Sequence, residues 1–391
     1  MITWLLQKLK GDKIIWVTVI LIGLVSMLAI YSSTSALAWR LKGGDTEAFV
    51  IRHGIILLAG FVVMYLVSRV NYRVYARIVN GMLLVTVLLL IYTIANGSEL
   101  NEAARWITVM GTSFQPSDLA KLTLMILLAK ILTQRQEVIK DFSEGFLPAL
   151  FWVVIICGLI APSDLSTALL MFTASVMVMF VAGVDLKYIG VLGLAAILGV
   201  MLLFSTAKRA GTWNSRIHDY VEYMTNPDYD GNPQIVQAHV ALAKGGVFGQ
   251  GPGKSVQRNT LPTAYADFIF AIIVEEYGLF GGGVVLLLYM ILLFRAVGIV
   301  TVSKTFGALL AAGLSFMLVM QALINMGVAT GLLPITGFTL PFISMGGTSI
   351  LFSSVTIGII LSVSQDALQP RALKKKASKK AASYRTRTAG I

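Results

Sequence analysis

The stretch ADFIFAIIVEEYGLFGGGVVLLLYMILLFR, Ala266–Arg295, decides the class of this chain. It exceeds the roughly 20 apolar residues that cross a bilayer, and it leaves room for a bend at Gly278 or Gly281. Three acids interrupt it: Asp267 at its mouth, Glu275 and Glu276 inside. On an unbroken helix Glu275 would lie about 12 Å beyond Asp267, at about 1.5 Å per residue. A charge at the centre of a spanning helix costs about 2.5–3.5 kcal/mol, and such residues mark functional sites by default. Glu275 and Glu276 are about 100° apart on a helix, so they cannot face one groove, and one of them is expected to pair inward. Asp267 at the edge can stay ionised and face a membrane-embedded ligand, as a general base would. An N-cap is its structural alternative.

The rest of the chain repeats the apolar signal. Of 391 residues, 57% are hydrophobic and 13% charged, where a soluble domain carries about 25% charged. Mean hydropathy is +0.80. The expected class is an all-α polytopic membrane protein with about ten spans: 14–38, 54–70, 79–95, 119–132, 146–162, 167–184, 188–205, 266–295, 307–330 and 343–364. Lys8, Lys10, Lys13, Arg69, Arg73, Arg77, Arg135, Lys140, Lys187, Arg295 and Lys304 then fall on one side, with both termini cytoplasmic. The net charge of +12 suits orientation and anionic lipid better than nucleic acid. Residues 1–368 form one transmembrane domain, and 369–391 a basic tail with no apolar periodicity, expected to be disordered. The basic leader and "ALAW" at Ala36–Trp39 mimic a secretory signal, but the apolar run Ile14–Ile30 is too long for one. It reads as an uncleaved first helix. The single cysteine, Cys157, makes no intrachain disulfide and reads as a core residue.

Two polar loops lie opposite the basic side, about 96–116 and 206–263. The second carries enough apolar residues to be packed rather than loose. "QIVQAHVALAK", Gln234–Lys244, reads as an amphipathic helix at the surface. "GGVFGQGPGKS", Gly245–Ser255, resembles a phosphate loop, but Phe248 stands where that pattern needs glycine, so a nucleotide site is rejected. His53, His218 and His239 show no ligand spacing and read as structural. Asp118 and Lys121, in "QPSDLAK", can pair at i, i+3. Asp164 or Ser166, in "APSDLST", suits a helix cap. From Asn325 to Ser354, prolines and glycines break the helical pattern, and Asn325, Thr336, Ser344, Thr348 and Ser349 supply polar groups. Broken backbone at membrane depth needs protein or a polar cavity around it.

The runs "RWITVMGTSFQPSDLAK", "GGVFGQGPGKSVQRNTLPTAYADFIFAIIVEEYGLFGG" and "GLLPITGFTLPFISMGGTSIL" resemble the SEDS family (shape, elongation, division and sporulation) over nearly all ten spans. That resemblance implies polymerisation of lipid II into glycan strands on the outer face of the bacterial inner membrane. It also implies a class B penicillin-binding protein, a transpeptidase, as partner, alongside other divisome proteins. The family's catalytic aspartate falls on Asp267, its acid–lysine pair on Asp118 and Lys121, and its outer-loop arginine on Arg216. "TAYAD" has Thr263 and Tyr265 where the family often has Glu and His, and Asp118 replaces the usual Glu. "VEEYG" and "SMGGTSILFSS" look more like the FtsW division branch, with the RodA elongation branch as the alternative.

The implied chemistry is attack of an acceptor hydroxyl, activated by Asp267, with loss of undecaprenyl pyrophosphate. Arg105, Lys121, Arg216 and Lys254 are cationic candidates for the leaving group. Gln257, Ser344 and Thr348 join Asp118 as substrate-binding candidates. Pyrophosphate favours a divalent cation, Mg or Mn, although the sequence has no dedicated metal cage and no organic cofactor is implied. The rivals are a lipid II transporter and a non-catalytic scaffold for the transpeptidase.

Overall fold

The computed structural model describes the backbone of residues 9–42, 45–96, 98–100, 103–109, 112–206, 209–226, 231–261, 263–303 and 305–388. Side chains are described over these ranges except at 36, 40–42, 96, 98–100, 103–105, 108–109, 112, 202–203, 205–206 and beyond 367. The helices are α1 (Lys13–Ser33), α2 (Ser35–Lys42), α3 (Thr46–Arg69), α4 (Arg73–Asn96), α5 (Pro116–Gln134), α6 (Leu147–Ile160), α7 (Leu165–Ala182) and α8 (Leu186–Thr206). They continue as α9 (Ala210–Thr225), α10 (Pro233–Gly245), α11 (Ile269–Val300), α12 (Thr305–Ala329) and α13 (Gly347–Thr388).

Among the described residues, eight helices are long and apolar enough to cross a membrane. They correspond to α1, α3, α4, α6 with the turn before it, α7, α11, α12 and α13 as far as Ala367. The two remaining predicted spans are also helical. However, α5 carries Asp118, Lys121 and Lys130, and α8 is apolar over Leu186–Met201 alone. Burial separates the centre from the rim. The apolar window of α12 is 72% buried and that of α3 only 22%. Ile51, Ile55, Leu58, Val62 and Leu66 line one exposed stripe of α3, the face expected to meet lipid. The trace of α13 runs on to Thr388, through the tail expected to be disordered. Ala, Lys and Arg are strong helix formers.

Helices α1 and α11 run antiparallel in matched register. At one end Arg295 ion-pairs with Asp12, which also caps α1 through the Ile14 N–H at 2.9 Å. At the other end Ser32 donates to Glu276. Twenty residues separate the two contacts on α1 and nineteen on α11, about 30 Å of helix in each case. That is the thickness of a bilayer's hydrocarbon core. Glu276 therefore sits at the end of a span. Gly278, at φ 69° and ψ −172°, breaks α11, so Leu279–Val300 is the spanning leg and Ile269–Tyr277 a separate buried one. The break falls beyond Glu275 and Glu276, so both acids belong to the short buried leg and not to the spanning one.

The region read as a polar loop at 96–116 contains a three-stranded antiparallel sheet, in the order β1 (Ser98–Leu100), β2 (Ala103–Val109), β3 (Thr112–Phe114). Ile107 pairs with Phe114 across it. The 206–263 region is packed, as its composition suggested. Asn232 caps α10, accepting the Gln234 N–H at 3.0 Å. One face of α10, Ile235, Ala238, Ala241 and Gly245, is buried. A Cβ on Gly245 would meet the Val274 carbonyl at 2.1 Å, so α10 docks on α11 through bare backbone. The unpredicted α9 docks on the segment after α12: Tyr220 donates to the Leu332 carbonyl at 2.9 Å and Arg216 to the Ile335 carbonyl at 3.3 Å.

Candidate active site

Asp267 is half-buried at the start of α11. The N-cap of that helix is Phe268, with no side-chain cap, so capping is not the aspartate's task. Its place is set through backbone. The Asp267 carbonyl accepts from Asn325 Nδ2 at 2.8 Å, and the same amide donates to the Phe338 carbonyl at 2.6 Å. Ser344 donates to the Ala266 carbonyl at 2.6 Å, and the Met345 N–H to the Tyr265 carbonyl at 2.9 Å. Three successive residues are thereby tied to the irregular 330–346 segment. A Cβ on Gly337 would lie 4.0 Å from Asp267 Oδ2, so the carboxylate faces that segment. Phe342 in the same segment holds a φ of 65°, a conformation a bulky residue keeps only when its surroundings impose it. Tyr289 bonds the Pro341 carbonyl beside it.

Arg216, Thr336 and Phe338 line a groove of about 500 Å³, walled mostly by apolar side chains such as Leu169, Phe204 and Ile324, with Ser166 and Thr173 among them. Such size and lining suit an apolar ligand with a polar end. Gly337, against Asp267, lies between two of the lining residues.

Lys121 Nζ is 2.9 Å from Asp118 Oδ1 and 3.1 Å from Gln321 Oε1. Gln321 Nε2 then donates to the Thr339 carbonyl at 3.0 Å. Gln321 and Asn325, one turn apart on α12, hold the Lys121 pair and Asp267 to one segment. Gln321 was not anticipated. Its signal is a second amide at i, i+4 in an otherwise apolar span.

Both internal glutamates are fully buried, and both are used by a loop. Glu275 accepts the Ser255 hydroxyl and the N–H groups of Val256 at 3.1 Å and Gln257 at 3.3 Å. Glu276 accepts the Ser32 hydroxyl and the Ser255 N–H at 3.2 Å. Although they diverge around the helix, both reach the same loop, which wraps α11 at the Gly278 break. The Gln250 and Gly251 N–H groups also bind the Glu275 and Glu276 carbonyls, each at 2.9 Å. Three consecutive amides thus collect two carboxylates, as a phosphate loop collects phosphate. The anion is the chain's own, which is why the phosphate-loop likeness implies no nucleotide.

A family model for cell cycle proteins, spanning FtsW, RodA and SpoVE, matches residues 12–369. The chain belongs to the FtsW/RodA/SpoVE family. It is similar to a probable peptidoglycan glycosyltransferase FtsW of Geobacter sp. (strain M18), 34% identical over 366 residues, covering 92% of this chain and 98% of that one. Stage V sporulation protein E of Bacillus subtilis (strain 168) is 32% identical over 371 residues, 92% and 98% of the two chains. Among solved structures, Thermus thermophilus RodA, a rod shape determining protein, superposes with a TM-score of 0.68 at 25% identity, covering 93% and 99%. A chain of a peptidoglycan synthase complex that coordinates polymerization and crosslinking gives 0.69 at 26%, covering 92% and 99%. The FtsW-named relatives favour the FtsW-like branch, and the RodA branch is compatible but no better supported.

The residues singled out in the sequence fall as follows. Asp267, Arg216 and the Asp118–Lys121 pair all meet the 330–346 segment, directly or through Gln321 and Asn325. Ser344 is buried and serves the backbone before Asp267. Gln257 is buried, its Oε1 accepting from Thr260 at 2.8 Å. Lys254 is exposed on the clamped loop, and Thr348 lies in the first turn of α13. Arg105 is on β2, its side chain outside the described residues. The histidines are structural: His53 bonds Ser26 at 2.7 Å, His218 sits near Glu222 at the surface, and His239 packs on Tyr223, its pKa lowered by burial. Asp164 caps α7, accepting the Thr167 N–H at 3.1 Å.

Proposed function

We propose that this FtsW-like peptidoglycan glycosyltransferase polymerises lipid II with Asp267 as general base. The observation that carries the assignment is the placement of Asp267: excused from capping, anchored by Asn325 and Ser344, and turned toward Gly337 beside a 500 Å³ apolar groove. The acceptor sugar's 4-hydroxyl would give its proton to Asp267 and attack C1 of the donor sugar. The C1–oxygen bond then breaks and undecaprenyl pyrophosphate departs with the bond electrons. Arg216 at the groove, with Arg105 and Lys254, would offset the charge of the leaving group. Lys121, already held by Asp118 and Gln321, would steady the segment that faces Asp267.

A divalent cation, Mg²⁺ or Mn²⁺, belongs to this proposal as a companion of the pyrophosphate. Among the described residues no group of three His, Cys, Asp or Glu could hold a metal alone. Magnesium commonly takes one or two carboxylates plus substrate phosphates, and Asp267 is the carboxylate at hand. When bound, it would neutralise charge on the leaving group.

We place the chain in the bacterial inner membrane with ten spans, both termini cytoplasmic and Asp267 outside. The one-sided distribution of Lys and Arg supports this, as does the approximately 30 Å between the Asp12–Arg295 and Ser32–Glu276 contacts. A class B transpeptidase and other divisome proteins are its proposed partners, in septal synthesis. The solved complex that joins polymerization to crosslinking supports the first of these. Purified full-length chain in vesicles, given lipid II, separates enzyme from transporter. Glycan polymer is the expected result. Translocated but unpolymerised lipid II would overturn the enzyme assignment.

A further inference from the structure

His53, on α3, and Ser26, on α1, are both buried. Ser26 stands six residues before Ser32, about 9 Å inside the end of the span. A polar pair at that depth marks a function by default. Its reach is the irregular 330–346 segment. His53 Nε2 lies 2.7 Å from Ser26 Oγ, and Ser26 donates to the Ile343 carbonyl at 3.0 Å.

The proton count fixes the direction of this chain of bonds. A serine hydroxyl has one proton, and a carbonyl only accepts. That proton is spent on Ile343, so the imidazole Nε2–H donates to Ser26. The bond to Ile343 also departs from the habit of buried hydroxyls on these helices. Thr18, Ser175, Ser315 and Ser354 each turn back to the carbonyl four residues earlier, the usual partner inside a helix. For Ser26 that partner would be Ile22. Donation from His53 fixes the Ser26 oxygen and leaves its proton facing Ile343.

Ile343 matters through its neighbours. Phe342 before it holds the strained φ of 65°. The carbonyls on both sides of Phe342 are taken by buried hydroxyls, Pro341 by Tyr289 and Ile343 by Ser26. Ser344 after it donates to the Ala266 carbonyl, one residue before Asp267. A strained turn persists only while its surroundings hold it.

We infer that His53 is a positioning residue for Asp267. Acting through Ser26 and Ile343, it holds the turn whose next residue anchors the backbone before the carboxylate. It works as a neutral hydrogen-bond donor and touches no reacting atom. This role rests on the reading of Asp267 as general base.

The test joins polymerisation kinetics in vesicles with amide hydrogen exchange on the purified full-length chain. His53→Leu and Ser26→Ala should each lower kcat roughly 10–100-fold, the size of an ångström-scale misplacement, with KM for lipid II within about twofold. Exchange at Leu340–Met345 should quicken in both. His53→Gln, which keeps an N–H at similar reach, should recover most of the wild-type kcat. The double variant should fall no further than Ser26→Ala, because the two residues act in series. Losses that multiply in the double variant, or a raised KM at unchanged kcat, overturn the inference. Equal loss in His53→Gln and His53→Leu overturns the donor role. If His53→Leu does not fold, Ser26→Ala decides, and wild-type kcat there overturns the inference. Asp267→Asn run alongside separates the two claims. Full polymer from Asp267→Asn overturns the base assignment and the link to His53 with it. Polymer lost in Asp267→Asn beside wild-type kcat in Ser26→Ala overturns the role of His53 alone.

Discussion

Asp267, Glu275 and Glu276 show how one residue type, placed in one apolar run, takes different tasks. The cost of an acid near hydrocarbon marked all three as purposeful, and that much was legible in the sequence. Their partners were not, because the residues that answer them lie far away in the chain. Ser32 is 244 positions from Glu276, and Asn325 is 58 from Asp267. The Asp118–Lys121 pair was legible from its i, i+3 spacing, whereas its extension to Gln321 was not. Lys121→Met should leave Asp118 buried without its cation and lower stability by roughly 3–5 kcal/mol. Adding Asp118→Leu should recover much of that loss. Thermal unfolding in detergent checks both, and a double variant no more stable than Lys121→Met would refute the pairing energetics.

Elements were legible where apolar periodicity was strong. All ten predicted spans are helical, and the bend foreseen in α11 falls at Gly278. Helix α10 was found within two residues of its predicted ends. Helix α9 was missed because its inward face is carried by Trp213, Arg216, Tyr220 and Tyr223 rather than by aliphatic residues. The sheet at 98–114 was missed because its outer strands are three residues long, too short for alternation to register. The loop around Gly278 depends on backbone contact. A Cβ on Gly249 would stand 2.2 Å from the Glu276 carbonyl, at a φ of +82°. Gly249→Ala should cost at least about 1–3 kcal/mol from backbone strain alone. Gly190→Ala, where no atom lies within 4 Å of the added carbon, should melt like wild type. Equal melting of the two variants would contradict the close packing.

At the scale of the whole molecule, the contacts at either end of the α1–α11 pair set out a slab about 30 Å thick. Asp267 lies at the Ser32–Glu276 end of that slab, with Asn325 twenty residues into α12 beneath it. The groove that Arg216 lines opens at the same end. A general base at that end, beside a lipid-sized slot, accounts for the arrangement better than a path through the membrane does. The deciding measurement is glycan polymer formed from purified lipid II by wild type and Asp267→Asn. Each is reconstituted with a class B transpeptidase lacking its active-site serine. Loss of a general base typically costs about 10²–10⁴-fold, so polymer should fall at least about 100-fold while the variant melts like wild type. Equal polymer from both proteins would contradict the account.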